Sequence, residues 1–198
     1  MANALSELER SADVQERSYY GVASAHILLA EGKHAEALQV AESVFAERQH
    51  LSIAFDATKE AFAIALLAAL EVGELDKADE LLTIAEGVPA GLRPQFIDAT
   101  IARFRAHLAA RAGKTEDADR LFKGAGGLFE ELGVPFYVAV TRLEHAEWLA
   151  GQSRLAEAQP LLAQAQEIFG RLKAAPWVQR TARAVGVGLH AEAVPAKA

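Results

Sequence analysis

The stretch LAARAGKTEDADRLF (Leu108–Phe122) contains a five-residue step from a glycine that can end one helix to an alanine inside the next. The step occurs four times, with a serine in place of the glycine in the last copy: Gly32 to Ala37, Gly73 to Ala78, Gly113 to Ala118, and Ser153 to Ala158. The four alanines are 41, 40 and 40 residues apart. The sequence therefore predicts one helix-turn-helix unit that is copied along the chain.

The step has a physical reason in a chain that must reverse direction within a few residues. Glycine adopts the left-handed conformation that closes a helix without a Cβ clash. Alanine lets two helix axes approach closely where they cross. Two further positions recur seven residues before each step and seven residues after each alanine, and most of them are small: Ala25, Leu66, Ala106 and Ala146; Val44, Ala85, Ala125 and Ala165. We also expect a kink or a close helix contact at Gly124, Gly126 and Gly127.

This combination of glycine-to-alanine spacing and small positions resembles the tetratricopeptide repeat, over roughly residues 12–172. The period differs, since that family repeats about every 34 residues and this chain every 40 or 41. The Trp and Tyr that the family usually carries on its first helix are missing. Armadillo and HEAT repeats have the longer period and remain the structural alternative.

The resemblance implies an all-α protein, an α-solenoid of about four helix hairpins with a C-terminal capping helix. We expect a partial N-terminal helix in residues 1–11, a repeat domain in residues 12–185, and a flexible tail in residues 186–198. Within the repeat domain, the expected units and cap are residues 12–50, 51–92, 93–133, 134–175 and 176–185.

Composition excludes several classes of function. The chain has 198 residues and no cysteine, so disulfides and thiolate chemistry are ruled out. A net charge of -7 argues against a nucleic-acid surface, which needs a basic face. The longest apolar run, residues 61–70, is shorter than the roughly 20 residues that span a bilayer. Without a visible signal peptide, we expect a cytoplasmic protein that binds neither nucleic acid nor membrane.

The motifs that could indicate catalysis lack residues or spacings that the corresponding sites need. The triplet Gly113-Lys114-Thr115 matches the end of a phosphate-binding loop, but Leu108 stands where that loop needs its first glycine, and a helix precedes it instead of a strand. None of the six histidines forms a metal-binding pair at i, i+4. We therefore expect no enzymatic activity, no metal and no cofactor.

A narrower resemblance rests on two phrases, FEELGVPFYVAVTRLEHAEWLAGQ (Phe129–Gln152) and RLAEAQPLLAQAQEIFGRL (Arg154–Leu172). They are similar to the helical-repeat tails of bacterial signalling ATPases, LuxR-type regulators and class III adenylate cyclases. In those proteins the tail is a non-catalytic sensor or docking segment. The resemblance implies a regulatory role.

In tetratricopeptide-like arrays the first helices of the units line a concave groove, and the family pattern predicts which residues face it. The candidate partner-binding residues are Tyr19, His26, Glu60, Leu67, Thr100, Arg103, His107, Arg111, Val140, Leu143 and Glu147. Arg103, His107 and Arg111 form a basic row at i, i+4 and i+8, which favours an acidic segment of a protein or peptide. A solvated face that only aids solubility is the alternative reading of this row.

We therefore expect a protein or peptide docking module, with a sensor domain for a small molecule or short peptide as the alternative. The sequence leaves four matters open: the identity of the partner or ligand, the oligomeric state, whether the chain is a complete protein or a piece of a larger regulator, and whether the groove or the convex face is used.

Overall fold

The computed structural model describes the backbone of residues 11–192 and the side chains of residues 11–185. Within that range it is all-helical, without strands. Ten α-helices follow in order: α1 Val14–Ala30, α2 His34–Ala46, α3 Arg48–Leu51, α4 Asp56–Val72, α5 Leu75–Glu86, α6 Gln95–Arg111, α7 Thr115–Glu131, α8 Pro135–Gly151, α9 Leu155–Arg171 and α10 Ala175–Glu192. A short 3₁₀ helix, Ala90–Leu92, lies between α5 and α6.

The left-handed turns that the five-residue steps predict are present. Gly32, Gly73 and Gly113 have φ of 74°, 83° and 72°, and Ser153 has φ of 61°. Each ends the first helix of a unit, and the second helix begins two residues later. The connection between units is copied as well, since Gly133 after α7 and Lys173 after α9 have φ of 65° and 55°.

The recurring alanines and their two companion positions are all buried. The alanines that follow the turns are at most 1% exposed: Ala37, Ala78, Ala118 and Ala158. The companions are at most 5% exposed: Ala25, Leu66, Ala106, Ala146, Val44, Ala85, Ala125 and Ala165. Small side chains at these places let helices pack closely, which is the role that the sequence assigns to them.

The chain divides into two compact units, Met1–Phe104 and Arg105–Ala198, and the division falls inside α6. In the first unit α2 packs against both α1 and α4, and α4 also packs on α1 and α5. Phe45 of α2 and Phe62 of α4 are fully buried, with ring centroids 5.0 Å apart. Their contact places the core of this unit between α2 and α4.

In the second unit α8 is the central helix and packs against α7 and α9, while α10 packs mainly on α9. Aromatic side chains fill the contact where α8, α9 and α10 meet. Phe169 of α9 lies 5.4 Å from Trp177 of α10, and Phe136 of α8 contacts both rings. Phe129 of α7 and Tyr137 of α8 repeat this contact one connection earlier, with centroids 5.3 Å apart.

The last helix, the two ends of the chain and the glycines of α7 bear on three expectations from the sequence. The last helix continues to Glu192, beyond the expected cap, so the backbone of residues 186–192 is helical. The partial N-terminal helix falls largely on residues 1–10, and the end of the tail on residues 193–198, both outside the described residues. Helix α7 is continuous, and a Cβ added at Gly124, Gly126 or Gly127 would meet nothing within 4 Å, so the expected close contact there is wrong.

None of the helices in residues 11–192 combines the length and the apolar character that crossing a bilayer requires.

Candidate functional site

The predicted partner-binding residues lie on the first helix of each unit, namely α1, α4, α6 and α8, and they differ widely in exposure. Tyr19, His26 and Arg111 are exposed. Glu60, Leu67, His107 and Glu147 are half-buried. Thr100, Arg103, Val140 and Leu143 are buried. Seven of the eleven predicted residues therefore reach the surface.

The basic row on α6, formed by Arg103, His107 and Arg111, is partly buried. Arg103 is only 4% exposed, and its guanidinium lies 4.7 Å from the ring centroid of Phe104. Thr100, one turn earlier, is 1% exposed and donates its hydroxyl to the carbonyl of Phe96 at 2.8 Å. The predicted row of three donors is thus reduced at the surface to His107 and Arg111.

Two side-chain contacts between helices involve predicted partner-binding residues. In the first unit, His26 Nε2 of α1 lies 3.8 Å from Glu60 Oε2 of α4. In the second unit, Arg180 of α10 donates two hydrogen bonds to Glu147 of α8, at 2.9 and 2.6 Å. The two pairs occupy equivalent positions in the repeat. His26 and Glu147 directly follow the recurring small residues Ala25 and Ala146 of their own helices. Glu60 and Arg180 each lie six residues before the equivalent position on the next helix of the pair. In each unit a polar contact therefore joins two helices at the same position of the repeat.

His107 makes a related but more buried contact. Its Nε2 lies 3.0 Å from Glu144 Oε2 of α8, and the Glu144 side chain is only 4% exposed. Each of the two side chains thus shields the other from water. This contact holds α6 to α8 within the second unit, and it leaves Arg111, at the exposed C-terminal end of α6, as the accessible cation of the row.

A second polar cluster, which the sequence did not predict, centres on Asp119 of α7. One carboxylate oxygen is 2.7 Å from His145 Nε2 of α8, and the other accepts hydrogen bonds from Lys123 at 2.9 Å and Arg154 at 3.2 Å. Arg154 also donates twice to Glu157, at 2.7 Å each. Asp119 therefore links α7, α8 and the start of α9.

Aromatic rings enclose this cluster. The Phe122 ring of α7 lies between the two histidines, with centroids 5.1 Å from His107 and 5.2 Å from His145. Trp148 stacks on His145 at 5.9 Å, and the Arg154 guanidinium lies 5.8 Å from the Trp148 ring centroid. The ring contacts and the hydrogen bonds to Glu144 and Asp119 together hold the two histidines in place.

The environment shifts two pKa values in the cluster. Burial alone would raise the pKa of Asp119, but hydrogen bonds from Lys123, His145 and Arg154 outweigh it and lower the pKa to about 2. Burial lowers the pKa of His145 below its ordinary value, against the opposing attraction of Asp119. Asp119 is therefore ionised and His145 neutral near pH 7.

A signal for this pair is present in the sequence. Asp119 directly follows the small residue Ala118, and His145 directly precedes the small residue Ala146. Residues next to the small positions lie where two helices cross most closely, so an acid on one helix and a histidine on the other can meet there. The Asp119–His145 pair spans two buried helix faces, and its geometry suits holding the helices in register.

The second unit also contains a cleft of about 320 Å³. It is lined mainly by apolar residues of α9 and α10, with two glutamine side chains: Ala150, Leu155, Ala158, Gln159, Leu162, Ala163, Gln166, Ala184 and Val185. The volume is at the lower end of the range for small-molecule sites.

Among the described residues no group of three His, Cys, Asp or Glu side chains is arranged to hold a metal ion. A comparison with protein-family models found no match, and neither did a search of curated proteins.

Proposed function

We propose that the chain is a tetratricopeptide-like α-solenoid that acts in the cytoplasm as a non-catalytic, regulatory docking module for a protein or peptide. The solenoid reading is supported by the left-handed turns at each unit and by the burial of all twelve recurring positions. The regulatory role rests on the resemblance to the repeat tails of bacterial regulators.

The observation that carries the docking proposal is the exposure of Arg111 on α6, a first helix. Arg111 ends α6, where the negative end of the helix dipole favours a cation. On the same set of helices, the Glu147–Arg180 pair is partly exposed, with 32% and 40% of the side chains accessible. Exposed ion pairs contribute little to stability, so such charges can exchange partners at low cost. An acidic segment of a partner is the natural complement.

The test starts from a partner captured from native lysate with the full chain as bait and then titrated by calorimetry. Arg111→Glu should weaken its affinity at least tenfold, and higher salt should weaken wild-type binding, because charge complementarity drives the contact. The matched control is Arg120→Glu, which makes the same charge change on α7, a second helix, where the arginine side chain is 70% exposed.

Equal effects of the two variants would contradict docking on the first-helix face. A partner that binds both variants as well as wild type would move the contact to another surface of the chain.

A second candidate function, a small-molecule or short-peptide sensor, is favoured by the cleft between α9 and α10. A screen of metabolites by thermal shift would identify a ligand. Ala184→Phe should abolish that shift by filling the cleft, whereas Arg111→Glu should leave it unchanged. A ligand whose shift survives Ala184→Phe would exclude the cleft as its site.

A further inference from the structure

The cleft between α9 and α10 lies at a place in the repeat that side chains fill one unit earlier. Three residues that line the cleft stand 40 positions after larger residues of α7 and α8: Leu162 after Phe122, Ala184 after Glu144, and Val185 after His145. Between α7 and α8, the rings of Phe122 and His145 stack with centroids 5.2 Å apart. The cleft is therefore the space that smaller side chains leave open between α9 and α10.

The charged groups of the earlier site are replaced as well. Asp119 and Lys123, which form a salt bridge on α7, are followed 40 positions later by Gln159 and Ala163 on α9. Among the described residues that line the cleft, none has an ionisable side chain. Transfer of a charged group from water into an apolar site costs free energy unless an opposite charge or a set of hydrogen bonds compensates it. The lining therefore favours an uncharged ligand.

Two glutamine side chains supply the polar groups of the cleft. Gln159 and Gln166 are seven residues apart on α9, about 10.5 Å along the helix axis, and they lie on one face of the helix. Both residues are exposed, so their carboxamides lie at the solvent side of the cleft. A carboxamide carries both hydrogen-bond donors and an acceptor. An amide group on a ligand is its natural complement, because it also donates and accepts.

The size and the opening of the cleft limit the ligand further. The volume is about 320 Å³. A water molecule takes up about 30 Å³ of the liquid and a methylene group is of similar size, so the cleft holds roughly ten non-hydrogen atoms. Ala163, between the two glutamines on α9, is small and exposed. A ligand of this size can therefore enter from the solvent side.

We propose that this cleft binds a small, uncharged aliphatic amide of roughly ten non-hydrogen atoms. Its chain lies against Leu162, Ala184 and Val185, and its amide group hydrogen-bonds to Gln159 or Gln166. The proposal rests on the sensor function given above as the second candidate, and it narrows the ligand to one chemical class. An aliphatic acid or amine of the same length is disfavoured, because the lining offers its charge no counter-charge.

Titration of the full chain with hexanamide, followed by NMR spectra of the amide groups, tests this proposal. Hexanamide should shift the side-chain signals of Gln159 and Gln166, and it should leave the signal of Gln164, which is exposed on α9 outside the cleft. Hexanoate and hexylammonium have chains of the same length and carry a charge. Each should bind about tenfold more weakly than hexanamide, or weaker still.

Variants with matched controls separate binding from folding. Ala163→Phe should fill the cleft from its open side and abolish the shifts. Ala156→Phe makes the same change at an exposed position of α9 outside the cleft and should leave the affinity unchanged. Gln159→Leu combined with Gln166→Leu should weaken hexanamide binding about tenfold, because the ligand amide loses its hydrogen-bond partners. Gln164→Leu should have no effect.

The proposal is overturned if hexanamide leaves both glutamine signals unchanged, if a charged analogue binds as tightly, or if Ala163→Phe binds hexanamide like wild type. Tighter binding of the blocked peptide acetyl-trialanine amide, lost in Ala163→Phe, would assign the cleft to a peptide segment instead. If hexanamide does not bind but a metabolite gives a thermal shift that Ala184→Phe abolishes, the amide proposal fails and the sensor function stands. Hexanamide binding that persists in Arg111→Glu keeps this site separate from the docking proposal.

Discussion

A β-carbon on Gly21 of α1 would lie 2.4 Å from Cγ2 of Val44 in α2. Val44 occupies the recurring position at which Ala85, Ala125 and Ala165 stand in the other units. In the first unit the larger side chain on α2 is therefore accommodated by a glycine on α1. The two residues form a complementary pair that sets how closely α1 and α2 approach.

The first prediction follows from this pair. Gly21→Ala should destabilise the protein by about 1 to 3 kcal/mol, because the added methyl group overpacks the helix contact. Val44→Ala in the same chain should recover part of the loss, since it removes the clashing methyl group. Urea unfolding of wild type, both single variants and the double variant gives the coupling energy. Additive effects of the two changes would show that the side chains do not share this space.

A second prediction concerns Lys173, a residue other than glycine that adopts the left-handed conformation in a turn of the second unit. Lys173→Gly should stabilise the protein by about 0.5 to 1 kcal/mol, because glycine adopts a φ of 55° without strain. Gly133 already stands at the equivalent turn. Lys173→Ala is the control, since it removes the same charge and keeps the strain. A thermal melt in which the alanine variant gains as much as the glycine variant would refute the conformational explanation.

The third prediction concerns a buried hydroxyl. Thr58 is fully buried in the first turn of α4, and its Oγ1 has no hydrogen-bond partner. Helix α4 begins at Asp56, so no helical carbonyl is available four residues earlier. Thr58→Val should raise the free energy of unfolding by about 1 kcal/mol.

Thr141→Val serves as the control for this change. Thr141 is equally buried, but it donates its hydroxyl to the carbonyl of Tyr137 at 2.8 Å. The control should be neutral or destabilising in the same denaturant titration. A loss of stability in Thr58→Val would indicate that its hydroxyl is satisfied in solution.

The fourth prediction is a loss of stability in acid. The pKa of His145 is lowered in the folded protein, so the unfolded chain binds this proton more readily and stability falls as the pH drops through the ordinary value of 6.5. The pKa of Asp119 is lowered from 3.8 to about 2, so its contribution is present above pH 4 and is lost as the pH falls toward 2. For Asp119 the shift corresponds to roughly 2 kcal/mol of stability.

Urea unfolding at pH 7.5, 5.5 and 3.0 measures this dependence. Asp119→Asn should be less stable than wild type at pH 7.5, and the difference should shrink by pH 3.0 because the Asp119 carboxylate of the unfolded chain takes up protons there, whereas that of the folded chain, with its pKa of about 2, stays largely ionised. Asp117→Asn, two residues earlier with a half-exposed side chain, should follow the wild-type curve. If Asp119→Asn instead runs parallel to wild type at all three pH values, the carboxylate does not contribute through its charge.

Short-range features were predictable because they depend on a few neighbouring residues. The turns at Gly32, Gly73, Gly113 and Ser153 need a left-handed residue at a fixed distance from a small one, and that requirement is visible in the residue types alone. The helix bounds follow from those turns, since each second helix begins two residues after the left-handed residue. Periodicity also predicted the burial of the recurring small residues.

The sequence by itself determined an all-helical chain, its left-handed turns and its small buried positions, because these follow from local backbone sterics and from a pattern repeated every 40 residues. The tertiary structure decided which long side chains remain accessible, since exposure depends on neighbours that are distant in sequence. It buried Arg103, paired Asp119 with His145, and put the tight glycine contact at Gly21 instead of at residues 124–127. A helical periodicity gives the direction in which a side chain points, but what it meets there is set by packing between helices.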